Sequence, residues 1–137
     1  MDHVRIEIED HVATVTFDRP PVNALNAQAF RELAEAFTTL RHGTDAHVAI
    51  FTAPGERIFC AGVDLHDSAR RHTREDADGD SIADRLDPGS IVRDCFWAIS
   101  DCPLPVIGAI NGAAVGAGLA LVACCDVIIA SETARFA

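Results

Sequence analysis

The stretch LPVIGAINGAAVGAGLALVACCDVIIA, residues 104–130, decides the fold class. This run is apolar apart from Asn111 and Asp126, and its length raises the question of a membrane-spanning helix. Three features argue against one: the run is rich in Gly and Ala, it contains the turn dipeptide Asn111-Gly112, and no Lys or Arg flanks it closely. The run therefore predicts several short elements rather than one span.

The small and polar residues divide the same stretch into three elements. We predict a buried strand over 105–110, a short helix over about 116–124 and a second buried strand over 127–130. Strand, helix and strand in that order indicate α/β organisation.

The residues before this stretch supply further strands and helices. Alternation of apolar and polar residues is typical of a strand, and apolar residues three and four positions apart are typical of a helix. The charge-dense residues 66–88 predict a solvated loop or a frayed helix. The predicted strands are 4–8, 12–16 and 47–52, and the predicted helices are 27–42 and one that begins near Ser90.

Composition limits the classes of function. The chain has 137 residues, enough for one domain with a core, and 49 % of them are apolar. A net charge of −10 argues against nucleic acid as a partner. The five cysteines are an odd number without a C-x-x-C pair, and the N-terminus has no secretory signal, which together predict a cytoplasmic location. The histidines show no metal-ligand spacing, so no metal is expected.

Two turns rich in small residues point to chemistry. The segments FCAGVDL (59–65) and INGAAVGAGLAL (110–121) each follow a predicted strand and lead toward a predicted helix. Small side chains at a helix start let a ligand oxygen reach free backbone N–H groups. Either turn alone is more typical of a helix packed tightly on a sheet. Two such turns facing one point would form a pair of convergent donors, an oxyanion hole.

Four ordered segments carry a resemblance to a known family. They resemble the enoyl-CoA hydratase/isomerase (crotonase) superfamily, which implies an α/β spiral of β-β-α units with a CoA thioester as ligand. The resemblance implies coenzyme A as part of an acyl-CoA or enoyl-CoA substrate, no separate cofactor, no membrane partner, and a homo-oligomer, either a trimer or a dimer of trimers. It also implies that residues 1–137 are the N-terminal CoA-thioester-binding core of a partial fold, truncated at its C-terminus. The segments are RPPVNALN (19–26), FCAGVDL (59–65), PVIGAINGAAVGAGLAL (105–121) and CDVIIASETARFA (125–137).

The resemblance also implies roles for individual residues. The backbone N–H groups of Val63, after the Gly of FCAG, and Ala117, in the middle of GAG, would form the oxyanion hole. For Asp64, a helix N-cap is an equal alternative to a ligand contact. The residues expected to contact substrate are Val22, Ala24, Ala61, Gly62, Asp64, Leu65, His66, Gly116, Gly118 and Ala120.

One position departs from the family pattern. Hydratases of this superfamily usually carry a Glu three residues after the middle residue of GAG, where this chain has Ala120. A methyl group neither gives nor takes a proton, so hydration by two glutamates is doubtful here. The sequence thus predicts an acyl-CoA-processing enzyme of the lyase or isomerase type that stabilises a thioester enolate. The alternative is a non-catalytic CoA-ester-binding protein or an inactive fragment.

Overall fold

A computed structural model describes residues 1–65 and 89–137. Within them lie ten strands and helices. Eight of these follow the predicted order, with boundaries within two residues of the predicted ones, whereas the short strands Ile58–Cys60 and Ala113–Ala114 were not predicted. The loop predicted at 66–88 lies outside the described residues. The elements are β1 (Val4–Glu9), β2 (Val12–Phe17), α1 (Ala27–Arg41), β3 (Val48–Thr52), β4 (Ile58–Cys60), α2 (Ser90–Ser100), β5 (Val106–Ile110), β6 (Ala113–Ala114), α3 (Ala117–Ala123) and β7 (Val127–Ala130).

The strands form one main sheet and one small sheet. The main sheet has the order β1-β2-β3-β5-β7, and the small sheet pairs β4 with β6. Strands β1 and β2 make an antiparallel hairpin, whereas the other strand pairings among the described residues are parallel. Because parallel strands end at the same edge of a sheet, the loops that follow them converge there.

Helix α1 covers one face of the main sheet. Its start is fixed by Asn26, whose side-chain oxygen accepts a hydrogen bond from the Ala29 N–H at 2.8 Å. The predicted apolar face is buried, and the Phe37 ring packs edge-on against Phe51 of β3 at 5.4 Å between centroids. Burying one such aromatic side chain stabilises the fold by about 1.5–3 kcal/mol.

The apolar stretch 104–130 divides as predicted into β5, a turn, α3 and β7. Helix α3 has seven residues, and among the described residues no helix is long and apolar enough to cross a membrane. The expected burial of the strand over 127–130 is wrong. Val127, Ile128 and Ile129 are 50 %, 49 % and 63 % exposed. Among residues 1–65 and 89–137, β7 is an edge strand of the sheet and pairs with β5 alone. An apolar sequence at this position therefore does not ensure burial.

Candidate functional site

The two turns rich in small residues lie against each other, backbone to backbone. The Val115 N–H donates to the Cys60 carbonyl at 3.0 Å, which ties the end of β4 to the segment before α3. A Cβ added to Gly62 would lie 2.8 Å from the Val115 oxygen and 3.6 Å from the Ala117 nitrogen. Side chains would hold these segments apart, so the small residues are there to allow the contact.

The backbone around Val63 directs the N–H of that residue away from Leu25, the residue with which it pairs. The Leu25 N–H donates to the Gly62 carbonyl at 2.7 Å, and the Asp64 N–H donates to the Leu25 carbonyl at 2.9 Å. In such a parallel bridge, the residue between the two bonded ones turns its own N–H to the other side. Within residues 1–65 and 89–137, no acceptor hydrogen-bonds to the Val63 N–H, and Val63 is 42 % exposed.

Ala117 presents a comparable N–H at the first position of α3. The amides on both sides of Ala117 have acceptors, because Gly116 donates to the Ala137 carbonyl and Gly118 to the Val115 carbonyl, each at 2.8 Å. The Ala117 N–H has no acceptor in the part of the chain that the structure describes. Gly116 has φ +53°, a left-handed conformation that favours glycine and turns the chain into the helix.

The loop 19–25 borders these two turns. The Val22 carbonyl accepts a hydrogen bond from the Ala61 N–H at 3.2 Å, and Val22 itself is exposed while Ala24 is half-buried. Asn23, which the sequence analysis did not single out, is buried and donates from Nδ2 to the Phe59 carbonyl at 3.1 Å. A polar Asn between Val22 and Ala24 was the available signal, since a buried amide needs partners.

Asp64 has a partner that the sequence analysis missed. One of its carboxylate oxygens accepts a hydrogen bond from Nη2 of Arg19 at 2.9 Å, and the side chains are 22 % (Arg19) and 18 % (Asp64) exposed. Neither the N-cap nor the ligand contact considered for Asp64 anticipated this ion pair. Leu65 is exposed, and His66 lies outside the described residues.

The side chains at Ala120 and Cys60 are poorly suited to proton transfer. Ala120 lies on α3 one turn past Ala117, is half-buried, and donates its N–H to the Gly116 carbonyl at 3.1 Å. Cys60 is buried beside the two turns, and burial raises the pKa of its thiol to about 11. This thiol is therefore protonated at neutral pH and is a poor nucleophile. Among the described residues, no group of three His, Cys, Asp or Glu side chains is arranged to hold a metal ion.

Known proteins are similar to this chain in both sequence and fold. Residues 7–137 match the enoyl-CoA hydratase/isomerase family. The chain is 39 % identical to a protein named "Probable enoyl-CoA hydratase" from Rhodobacter capsulatus, covering 97 % of this chain and 48 % of that protein. It is also 39 % identical to a (7aS)-7a-methyl-1,5-dioxo-2,3,5,6,7,7a-hexahydro-1H-indene-carboxyl-CoA hydrolase from Rhodococcus jostii, over 93 % of this chain and 46 % of that protein.

Solved structures agree. The crystal structure of an enoyl-CoA hydratase/carnithine racemase from Magnetospirillum magneticum superposes with a TM-score of 0.83 at 34 % identity. The match covers 99 % of this chain and 49 % of that one. The chain thus spans about half the length of the relatives it matches. The predicted crotonase-like α/β fold, present in part, is confirmed.

Proposed function

The chain belongs to the enoyl-CoA hydratase/isomerase family, and from this we propose that it binds the thioester of an acyl-CoA between Val63 and Ala117. In this proposal the thioester oxygen accepts hydrogen bonds from the two backbone N–H groups. The reaction class is acyl-CoA processing through an enolate, as a lyase or an isomerase. Coenzyme A enters as part of the substrate, with no separate cofactor.

The observation that carries the proposal is the contact between the two turns. Gly62 and the segment 115–117 touch through their backbones, and each turn contributes one N–H for which the described residues provide no acceptor. Two neighbouring unpaired donors are costly to leave unsatisfied unless water or a ligand oxygen meets them. A carbonyl oxygen that gains negative charge during a reaction is the acceptor such a pair suits best.

The chemistry follows from where the charge develops. Removing a proton from the α-carbon of a thioester, or adding a nucleophile at its β-carbon, moves negative charge onto the carbonyl oxygen. A fixed N–H donor is worth on the order of 3 kcal/mol in such a transition state. Val63 and Ala117 therefore supply charge stabilisation, whereas proton transfer has to come from other groups.

Ala120 decides which reactions are compatible with the site. It provides no carboxyl group, so hydration that depends on an acid at this position is disfavoured. The relatives include one named as a probable hydratase and one named as a hydrolase. A reaction that takes its acid from another position is compatible with an alanine here. The second candidate function is CoA-ester binding without turnover, and Ala120 is the observation that favours it.

The protein is expected to bind acetyl-CoA more tightly than coenzyme A, because only the thioester oxygen can meet the two N–H groups. Two net hydrogen bonds of about 1 kcal/mol each correspond to a roughly thirtyfold preference. Isothermal titration calorimetry with each compound measures it, and coenzyme A is the matched control since it differs only at the acyl group. Equal affinities, or no heat with either compound, would remove the proposal.

A turnover assay then separates the two candidate functions. Loss of the enoyl thioester absorbance of crotonyl-CoA reports hydration. Exchange of the α-protons of butyryl-CoA, a saturated thioester, with D₂O reports enolate formation. Binding with either reaction supports the enzyme. Binding with neither reaction supports the non-catalytic CoA-ester-binding protein.

A further inference from the structure

The segment that carries Val63 is held by few backbone contacts. Its pairing with Leu25 is an isolated bridge rather than part of a strand, and it consists of the bonds from Leu25 to Gly62 and from Asp64 to Leu25. A single bridge has fewer hydrogen bonds to break than a sheet ladder and opens more easily. An N–H donor is useful only if its direction is fixed, so something else has to hold this bridge closed.

Arg19 lies where it can do this. Its Nη1 donates to the Ala24 carbonyl at 2.8 Å, and its Nη2 donates to the Asp64 carboxylate at 2.9 Å. Ala24 directly precedes Leu25, and Asp64 directly follows Val63. One planar guanidinium thus hydrogen-bonds to both segments of the bridge. Its donors are held in a fixed geometry, and a lysine ammonium cannot reproduce this arrangement.

The position of Arg19 is itself fixed. Its backbone N–H donates to Oδ1 of the buried Asn23 at 2.8 Å, and its carbonyl accepts from the Asn23 N–H, also at 2.8 Å. The Arg19 and Asp64 side chains are 22 % and 18 % exposed, so water and salt screen this ion pair less than an ordinary surface pair. A pair with these hydrogen bonds transmits its position to the backbone on both sides.

We infer that Arg19 and Asp64 are positioning residues that direct the Val63 N–H toward the thioester oxygen. In this role they act through the backbone and need no contact with the substrate. The inference rests on the proposed function for the meaning of that N–H. We call the contacts of Arg19 with the Ala24 carbonyl and the Asp64 carboxylate the clamp. The clamp is present in the protein without ligand, so it is tested without ligand first.

Native-state hydrogen exchange of Arg19→Met tests the clamp. The Leu25 and Asp64 amides, which form the bridge, are expected to exchange at least about tenfold faster than in the parent protein, because a charge-assisted contact on each side is lost. The Val115 amide, which bonds to Cys60 outside the bridge, is expected to keep its rate within about twofold, the scatter expected of an uncoupled site. Arg19→Lys is expected to recover part of the protection, since the charge remains but the fork does not.

A matched control is available in the chain. Arg41 makes a more exposed ion pair with Asp101, which joins the ends of α1 and α2 and does not involve the bridge. Arg41→Met is expected to leave the exchange of Leu25 and Asp64 unchanged. If Arg19→Met unfolds the whole domain, the exchange of the Ala49 amide in the main sheet accelerates as much as that of Leu25 and Asp64. The exchange of the same amides in Asp64→Asn, which keeps the contact of Arg19 with Ala24, then decides between a local clamp and a general loss of stability.

Acetyl-CoA added to the same samples connects the clamp to the site. In the parent protein both the Val63 and the Ala117 amide resonances are expected to shift, and in Arg19→Met only that of Ala117. Unchanged exchange of Leu25 and Asp64 in both Arg19→Met and Asp64→Asn overturns the inference. Absence of any shift in the parent protein overturns the proposed function, while the exchange rates still decide the clamp.

Discussion

Ala117→Pro is expected to slow enolate formation at least about a hundredfold, the scale of one missing oxyanion donor. Proline lacks the N–H and is tolerated at the first position of a helix, where Ala117 lies. The preceding Gly116, at φ +53° and ψ −117°, has the mirror image of the extended conformation favoured before proline, and glycine adopts either hand. The helix should therefore form normally.

The measurement is exchange of the α-protons of butyryl-CoA with D₂O, followed by proton NMR with buffer base in excess. This partial reaction needs the carbonyl donors but no particular carboxyl group, so Ala120 does not limit it. Ala117→Ser, which keeps the N–H and differs from alanine by a hydroxyl, is the control. Equal rates for the proline and serine variants, with native circular dichroism, would mean that this amide plays no part in the reaction.

Gly118→Ala is expected to destabilise the fold by about 2 kcal/mol, the upper end of the usual cost of overpacking less the gain in helix propensity. In an ordinary helix, replacing glycine by alanine stabilises by about 1 kcal/mol. At this position the new methyl group would lie 2.8 Å from Cβ of Cys60 and closer still to the Cys60 carbonyl oxygen. Overpacking usually costs about 1–3 kcal/mol, and here the neighbour is mostly backbone that cannot rotate aside, so the clash outweighs the gain in propensity.

Urea unfolding of Gly118→Ala measures that loss, with Gly108→Ala as the comparison. A Cβ at Gly108 would meet Sγ of Cys125 at 3.1 Å, and a thiol at the end of a side chain can move. We expect the free energy of unfolding to fall much further for Gly118 than for Gly108. Similar losses at both positions would show that the contact between α3 and Cys60 yields easily.

Much of the fold could be predicted from the sequence because the longer elements carry their own period, whereas β4 and β6 are too short to show one. The alternation over β1 and β2, and the spacing of Phe30, Leu33 and Phe37 in α1, are local signals that tertiary packing then reinforced. The exposure of β7 could not be predicted in the same way. An apolar strand sequence indicates that burial would be favourable. Whether other elements pack against the strand depends on its position in the sheet, and among the described residues β7 lies at the edge.

The candidate site was only partly accessible from sequence. Small residues at Gly62 and Gly118 marked the turns, because close approach of two backbones leaves a compositional trace. The resemblance to the family, not spacing, assigned Val63 and Ala117, and their roles stay predictions. The pair of Arg19 and Asp64 left no trace, since 45 residues separate its members and each has ordinary surface chemistry.

The parallel pairings of the sheets have a consequence for the order in which the chain folds. The side chain of Thr52 donates to the Ala109 carbonyl across 57 residues, and β4 meets β6 over a similar separation. Contacts this distant in sequence form slowly, because the entropy of closing the loop is lost before the pairing compensates for it. The β1–β2 hairpin needs no such closure. In a refolding experiment with pulsed hydrogen labelling, we expect the amides of that hairpin to become protected first and the Val115 amide late. The candidate site would then be among the last parts of the fold to form.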